Sequence, residues 1–457
     1  MRRKNLLLVF ADQMRGQDVR AMGNAQVVTP HLDRLATEGV LCTNAIANCP
    51  VCTPNRGTLL TGLWPTAHGA VANDVPVRPD VPSLGTVLRD AGYRVGYVGK
   101  WHLDGVPRDR FTPPGPRRLG FDDYWAVWNC HHQYFDGRYF LDTDEIHRFD
   151  GYEPDGQTDL AVRFIEERRN DPWALVLSFG PPHDPYQLVP ERFLDLYSPP
   201  RIELRPNAKS LSPEASASWR MKIAQYYAAV SALDANVGRL LAALERLGLA
   251  DDTLVIFTSD HGDMLGSQGS KNKEKPWEEA ILVPLILRAP GLLPAGARND
   301  ALVGWLDLMP TVLDLLGVEG PHDIHGRSVA PLLRGERAEP QRSVPIGIPI
   351  IVDQGAAEGM PEWRGVRTPR YTYARLYTGE GWMLYDNTSD PYQLRNLIGE
   401  PAAASVRQEM DRETDAWLER LGDPCLPWEE MVRRLGIVDL WNAREKYMHG
   451  PKARVLE

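Results

Sequence analysis

Short apolar runs alternate with stretches of helical periodicity along most of the chain. Asn5 to Ala11 reads as a strand, apolar from Leu6 onward, and Val95 to Val98, Trp173 to Phe179 and Thr253 to Thr258 are further mainly apolar runs of strand length. Between them, Pro30 to Glu38 predicts a helix, with Thr29 as its N-cap and Pro30 at the first helical position. Ala224 to Leu247 carries apolar residues at helical spacing and predicts a long helix, and Leu306 to Leu316 predicts another. Strands without polar alternation are buried on both faces. Alternating with helices, they predict an α/β fold with a mainly parallel central sheet flanked by helices. Ligands of such sheets bind beyond the carboxyl ends of the strands. That rule singles out Asp12 and Asp260, which stand where two strand patterns stop.

The pattern changes after the polar stretch Gly335 to Arg342, which contains Pro340. Tyr371 to Leu376 and Gly381 to Tyr385 read as short antiparallel strands, and Ala402 to Leu421 as a closing amphipathic helix. The expectation is a catalytic domain over 1–340 and a smaller C-terminal α+β subdomain over 341–457, built on a short antiparallel sheet.

Composition narrows the classes. With 457 residues the chain exceeds one ordinary core. A net charge of -10 argues against a nucleic-acid partner, so any anion site must be a local cationic pocket. Cys42, Cys49, Cys52, Cys130 and Cys425 are an odd set in a long chain, which argues against a disulfide framework. Zinc would need a second CxxC or a nearby His pair, which their spacing lacks. Met1-Arg2-Arg3-Lys4 and the apolar run after it imitate a signal peptide. The run is short, and Asp12, Gln13 and Arg15 follow without a small-residue cleavage site. With no run of membrane-span length, the expectation is a cytoplasmic protein with no membrane partner.

Five segments carry chemistry. The first is Cys52-Thr53-Pro54-Asn55-Arg56, followed by Gly57-Thr58-Leu59-Leu60-Thr61-Gly62. The second pairs Asp12-Gln13 with Thr258-Ser259-Asp260-His261-Gly262-Asp263. Hard oxygen donors there suit Ca²⁺ or Mg²⁺, and the His261 imidazole gives Mn²⁺ some weight. The third is Gly99-Lys100-Trp101-His102-Leu103, the fourth Pro181-Pro182-His183-Asp184-Pro185-Tyr186, and the fifth Lys273-Glu274-Lys275-Pro276-Trp277-Glu278-Glu279 leading into Val283-Pro284-Leu285-Ile286. In the bland reading of each, Cys52 is a core thiol, Asp12 a helix cap, Lys100 a snorkelling side chain and His183 a residue fixed by prolines. Phe121 to Tyr134 is read as a packed surface loop, with an aromatic substrate wall or a second metal site at His131-His132 as alternatives.

Together these segments resemble the sulfatase family, a branch of the alkaline phosphatase-like superfamily, over most of the chain. The resemblance implies hydrolysis of a small sulfated substrate to alcohol and inorganic sulfate. It implies that a formylglycine-generating or equivalent maturation enzyme converts Cys52 to formylglycine, the nucleophile. One divalent cation, Ca²⁺ first, would be held by Asp12, Gln13, residue 52, Asp260 and His261. Arg56 would hold the modified side chain, Lys100 would bind a sulfate oxygen and His102 would act as general base. His183 would lie near the leaving oxygen, and Lys273 would help protonate the leaving alkoxide, with Lys275 as the competing register. The sequence departs from the family pattern at Gln13, where a second acid is usual, at Leu282 in place of Arg, and at Gln393 in place of Glu. The late Leu384-Tyr385-Asp386 and Asp390 to Leu397 element reads as structural, closing one side of the sheet. A phosphonate or phosphodiester hydrolase on the same scaffold, or a non-catalytic anion or carbohydrate binder, are the competing functions.

Overall fold

The computed structural model describes residues 3–208 and 212–457; Met1 and Arg2, the start of the basic run, lie outside them. The strands in chain order are β1 (Asn5–Asp12), β2 (Val40–Ile46), β3 (Arg94–Lys100), β4 (Tyr124–Trp128), β5 (Arg138–Tyr139), β6 (His147–Arg148) and β7 (Trp173–Pro182). β8 (Thr253–Ser259), β9 (Leu285–Arg288), β10 (Ala297–Gly304), β11 (Val344–Ile348), β12 (Trp363–Arg367), β13 (Tyr371–Leu376) and β14 (Gly381–Asp386) follow. Eight of them form the central sheet in the order β10-β2-β9-β8-β1-β7-β3-β4. All its pairings are parallel except those of β9, which runs antiparallel to both neighbours. The class is therefore the expected α/β, with a second sheet of order β11-β12-β13-β14, wholly antiparallel, after it.

β1 shows why its sequence lacks alternation. Leu6, Leu8 and Phe10 enter one core while Leu7, Val9 and Ala11 enter the other, so both faces of the strand are dry. β1 lies between β8 and β7, and the three carboxyl ends bring Asp12, Asp260 and the His183 loop to one rim.

Several elements differ from expectation. The segment read as a packed surface loop contains β4, the edge strand beside β3, and its Trp125 and Trp128 are buried. Trp125 packs on the buried Trp101, ring centroids 5.0 Å apart, so Trp125 is core rather than substrate wall. The long helix begins at Pro213 instead of Ala224. Ser212 caps it by accepting from Ala215 N, and its first turns are largely exposed, so no apolar stripe announced them. β2 and β10 escaped notice because each carries polar residues mid-strand, Thr43-Asn44 and Arg298 to Asp300.

Thr29 does stand at the N-cap position of the Pro30–Thr37 helix, but its side chain does not cap it. Its hydroxyl accepts from Arg20 N, and Asp234 of the Pro213–Arg246 helix takes the free amides of His31 and Leu32. A carboxylate on amides that have no intrahelical acceptor replaces the local cap with a tertiary one. Asp234→Ala is expected to cost about 1–2 kcal/mol in urea unfolding, the usual scale for a lost cap.

The second sheet leans on the first. Ile46, Val51, Ile281 and Leu302 share an apolar cluster with Val344, Ile346, Trp363 and Met383. Arg364–Asp423 and Arg367–Glu278 are buried ion pairs at 2.7 and 2.8 Å. Gln393, at the late element read as structural, accepts from Glu278 N and donates to Asn387. No helix among the described residues is long and apolar enough to cross a membrane.

Candidate active site

Residue 52 opens the Cys52–Thr61 helix, which ends at Gly62 in the left-handed conformation. Every residue of this helix is buried. The helix begins at residue 52, and aligned peptide dipoles at such an N-terminus favour an anion. Cys52 Sγ lies 3.2 Å from His261 Nε2 and 3.8 Å from Asp12 Oδ1. Donor atoms of Asp12, Cys52, Asp260 and His261 all lie within 4.8 Å of one another, the one such cluster among the described residues.

Two of these residues are oriented from behind. His261 Nδ1 lies 2.9 Å from Gly262 O, so that nitrogen carries the hydrogen and Nε2 is the donor atom facing the cluster. Asp260 Oδ1 accepts from Gln13 N and His261 N. Gln13 itself sits at φ 71, turned so that its amide nitrogen donates to Asp263 and its oxygen accepts from Lys273 Nζ at 2.8 Å.

Arg56 lies one turn beyond Cys52, and its place differs from the expected one. It does not line the pocket. Its Nη2 donates to Asp12 Oδ2 at 3.0 Å and its Nε to Asp260 Oδ2 at 2.9 Å, with all three side chains fully buried. Its Nη1 donates to Lys100 O and Ser178 Oγ. Arg56 is thus a brace between two carboxylates that would otherwise repel, and it leaves their Oδ1 atoms to the cluster. Fixed donor geometry suits it to this bidentate task.

The other cations ring the opening. Gly99, at φ 104, lets β3 end against β7: a Cβ there would meet Ser178 O at 2.0 Å. Lys100 Nζ then reaches Asp12 Oδ2 at 2.5 Å. Lys273 Nζ lies 3.1 Å from Cys52 Sγ and 2.9 Å from His183 Nε2. Lys275 points away, to Glu358 Oε2 and Lys273 O, so the register that the resemblance selected is the one that reaches the site. His183 Nδ1 faces Asp184 O, which leaves Nε2 as acceptor for Lys273. His102 lines the same pocket, with Nε2 at 3.1 Å from Asp74 Oδ1.

Charge distribution follows from this packing. Burial alone would raise Asp12, but Lys100, with Arg56 and Lys273, holds it well below the carboxylate range. Burial and the nearby Asp12 charge raise Asp260 instead, more than His261 and Arg56 lower it. Two close carboxylates of opposite tendency are a site short of positive charge. The Cys52 thiol is pushed well down: burial and Asp12 oppose this, but Lys273, Lys100 and His261 outweigh them. His183 falls to about 4 through burial and the Lys273 charge, so its ring is neutral near pH 7.

A divalent cation fits this donor set. Two carboxylates and an imidazole converge from two strand ends beside residue 52, and burial together with the Asp12 charge raises Asp260. In such a centre Asp12, Asp260 and His261 would be the holders, with Gln13 and residue 52 beside them.

The structure also gathers residues the sequence did not mark. Asn73, Asp74, Arg108, Asp353 and Met448 come from loops, the short Asp353–Ala357 helix and the C-terminal helix Val438–His449, and all but Asp74 line the pocket. His132 stacks on His183, centroids 4.0 Å apart, while His131 pairs with Glu153. The two histidines turn to different partners, so they are no second metal pair. No spacing or period could have signalled these residues, because each is a single polar position in an aperiodic segment.

Comparison with known proteins agrees with this geometry. Residues 4–318 match the Sulfatase family profile, and residues 266–419 match the profile described as N-sulphoglucosamine sulphohydrolase, C-terminal. The chain is 35% identical over 425 residues to an ulvan-active sulfatase of Formosa agariphila, covering 92% of this chain and 82% of that one. It is 31% identical over 484 residues to an endo-4-O-sulfatase of Bacteroides thetaiotaomicron, covering 92% of each. A structure solved with its substrate D-glucosamine-2-N,6-O-disulfate superposes with a TM-score of 0.82 at 25% identity, over 93% of this chain and 99% of that one. With the profile spanning most of the chain and a rim built as described, the protein belongs to the sulfatase family and is a sulfuric ester hydrolase.

Proposed function

We propose that the protein hydrolyses a sugar sulfate through a formylglycine formed from Cys52, beside one divalent cation, with Ca²⁺ the first choice. One observation carries the reading: residue 52 stands where Lys273, His261 and Asp12 converge on a single atom. A formylglycine there supplies a hydroxyl nucleophile and a second hydroxyl for release of sulfate, and the cation supplies charge against the growing anion.

The chain's own groups do the rest. Lys100 and Lys273 bind the sulfate oxygens and neutralise them in a water-poor site. Lys273 donates to the Nε2 of neutral His183, which leaves Lys273 as the group with a proton to pass toward the leaving oxygen. Arg56 pairs with both Asp12 and Asp260 and offsets their mutual repulsion. His102 handles the proton of the release step.

The organic part meets a polar wall. The cavity is about 290 Å³, and beyond Lys100 and Lys273 it is lined by Asn73, Arg108, Asp184, Asn272, Asp353 and Gln354, with Met448 the one apolar side chain among them. These side chains suit the hydroxyls of a sugar better than an aryl ring. The ulvan and endo-4-O relatives support the same class. A sulfated monosaccharide panel assayed by sulfate release tests this, with 4-nitrophenyl sulfate and a 4-nitrophenyl phosphonate ester alongside. Sugar sulfates are expected to give the highest kcat/KM; a preference for the phosphonate would overturn the reading. Mass spectrometry of the residue-52 peptide from the active protein should show the aldehyde or its hydrate in place of the thiol.

A further inference from the structure

Asp74 belongs to none of the five motifs, yet its carboxylate is buried and fully used. Oδ1 accepts from His102 Nε2 at 3.1 Å and from Arg108 Nε at 2.8 Å; Oδ2 accepts from Arg108 Nη2 at 2.7 Å. Burial would raise this acid, but His102 and Arg108 hold it far below its ordinary value, so it is a permanent anion.

The backbone points the same way. Asp74 and His102 have φ of 65° and 57°, the left-handed region that side chains other than glycine avoid. Such residues cost about 1–3 kcal/mol each and persist where surrounding contacts over-determine them. Here the contacts run through Thr53, the residue after position 52. Its Oγ1 accepts from Asp74 N at 3.3 Å and donates to His102 O at 2.8 Å, and its own N donates to Asn73 Oδ1 at 3.1 Å. His102 N donates to Asn129 O. Both residues are therefore tied to the chain at the nucleophile position.

With Nε2 directed at a carboxylate, that nitrogen carries the hydrogen and Nδ1 is the one left for chemistry. His102 Nδ1 is buried and has no nitrogen or oxygen partner, with the Cys130 thiol close to the ring. A buried polar atom left open calls for a role. Besides Asp74, the charged and titratable groups facing the ring are Lys100 and Cys130, with Arg108 behind Asp74.

We propose that Asp74, clamped by Arg108, is a positioning residue for His102, fixing the ring's plane and tautomer so that Nδ1 exchanges the proton during sulfate release. This rests on the reading of residues 52 and 102 as reaction partners. When Nδ1 accepts the proton of the free hydroxyl on residue 52, the O–H pair closes the aldehyde C=O as the C–O bond to sulfate breaks and sulfate leaves with its electrons; the ring becomes imidazolium, and its Nε2–H keeps its bond to Asp74. The carboxylate takes no proton; it faces the new charge, as in other carboxylate-oriented imidazoles. Burial and Lys100 lower His102, but Cys130 and Asp74 outweigh them and hold it at about 10. A base must be neutral to act, so the rate should rise with pH above the range of an ordinary imidazole. Loss of the Asp74 charge should move that acid limb to lower pH.

The test compares wild type with Asp74→Asn and Asp74→Ala, each co-produced with a formylglycine-generating enzyme and assayed with Ca²⁺ on 4-nitrophenyl sulfate. Asp74→Asn keeps shape and an acceptor but loses the charge. Its kcat should fall about 10–100-fold, with KM changed less than about 3-fold and the acid limb displaced downward; Asp74→Ala should lose more. A folded Asp74→Asn protein with unchanged kcat and pH profile, or with an effect on KM alone, would overturn the proposal. A second readout stands apart from turnover. Imidazole ¹⁵N signals, assigned to His102 with a His102→Gln protein, should shift between wild type and Asp74→Asn; identical signals would overturn it too. If wild type turns over no sulfate ester, the functional reading fails while the nitrogen signals still decide the role of Asp74.

Discussion

Cys52→Ala protein is expected to fold normally and to lose sulfate ester turnover by about 10⁴-fold or more, the scale on which a nucleophile's removal is felt. Its side chain is small and sits at a rim instead of filling a core, so little packing is lost. The thiol contacts are with His261, Lys273 and Asp12, and all three keep other partners when it is gone. Circular dichroism and thermal melting should match wild type while released sulfate falls to background. Ca²⁺ binding should survive in weakened form, because Asp12, Asp260 and His261 remain. A Cys52→Ala protein that still releases sulfate at a comparable rate would remove residue 52 from the chemistry.

Arg56→Met is expected to do the reverse, striking stability first. The substitution keeps much of the side-chain volume and deletes a cation held by Asp12 and Asp260, both fully buried. Removing one partner of a buried ion pair typically costs about 3–5 kcal/mol, because a charge is left without compensation. Here two carboxylates lose their partner, and Asp12 already raises Asp260 by proximity. Urea unfolding should show a loss at the upper end of that range near neutral pH. Burial and mutual repulsion should then push both acids upward, so the variant should recover stability as pH falls and they take up protons. A divalent cation should restore part of the loss, since it meets the same deficit from the Oδ1 side. Unfolding curves that ignore both pH and Ca²⁺ would sink this account of Arg56.

These two residues mark how far the sequence could be read. Cys52 was legible because its neighbours form a motif, and Asp12 and Asp260 because strand patterns stop beside them. The role of Arg56 was not. A cation one turn from a nucleophile reads as a holder of the modified side chain, and only the approach of β1 and β8 shows its donors engaged by Asp12 and Asp260. Asp74 and Arg108 were invisible for a related reason. They lie 34 residues apart in aperiodic segments and meet only in three dimensions. Asp234 does for the Pro30–Thr37 helix what Thr29 was expected to do, from across 203 positions of chain. Periodicity reports which face of an element is dry. It carries no record of which distant polar group will fill an open hydrogen bond.

The late sheet bears on how this catalyst could be re-engineered. Lys273 owes its aim to neighbours well outside its own segment: Trp363 Nε1 donates to Glu274 O, the Gly355 amide holds the Glu274 carboxyl, and Arg367 grips Glu278. The final quarter of the polypeptide is therefore a gunsight for a lysine it does not contain. Swapping that quarter for one from a cousin would retune the trigger along with the wall, so hybrids should be cut on either side of both parts together.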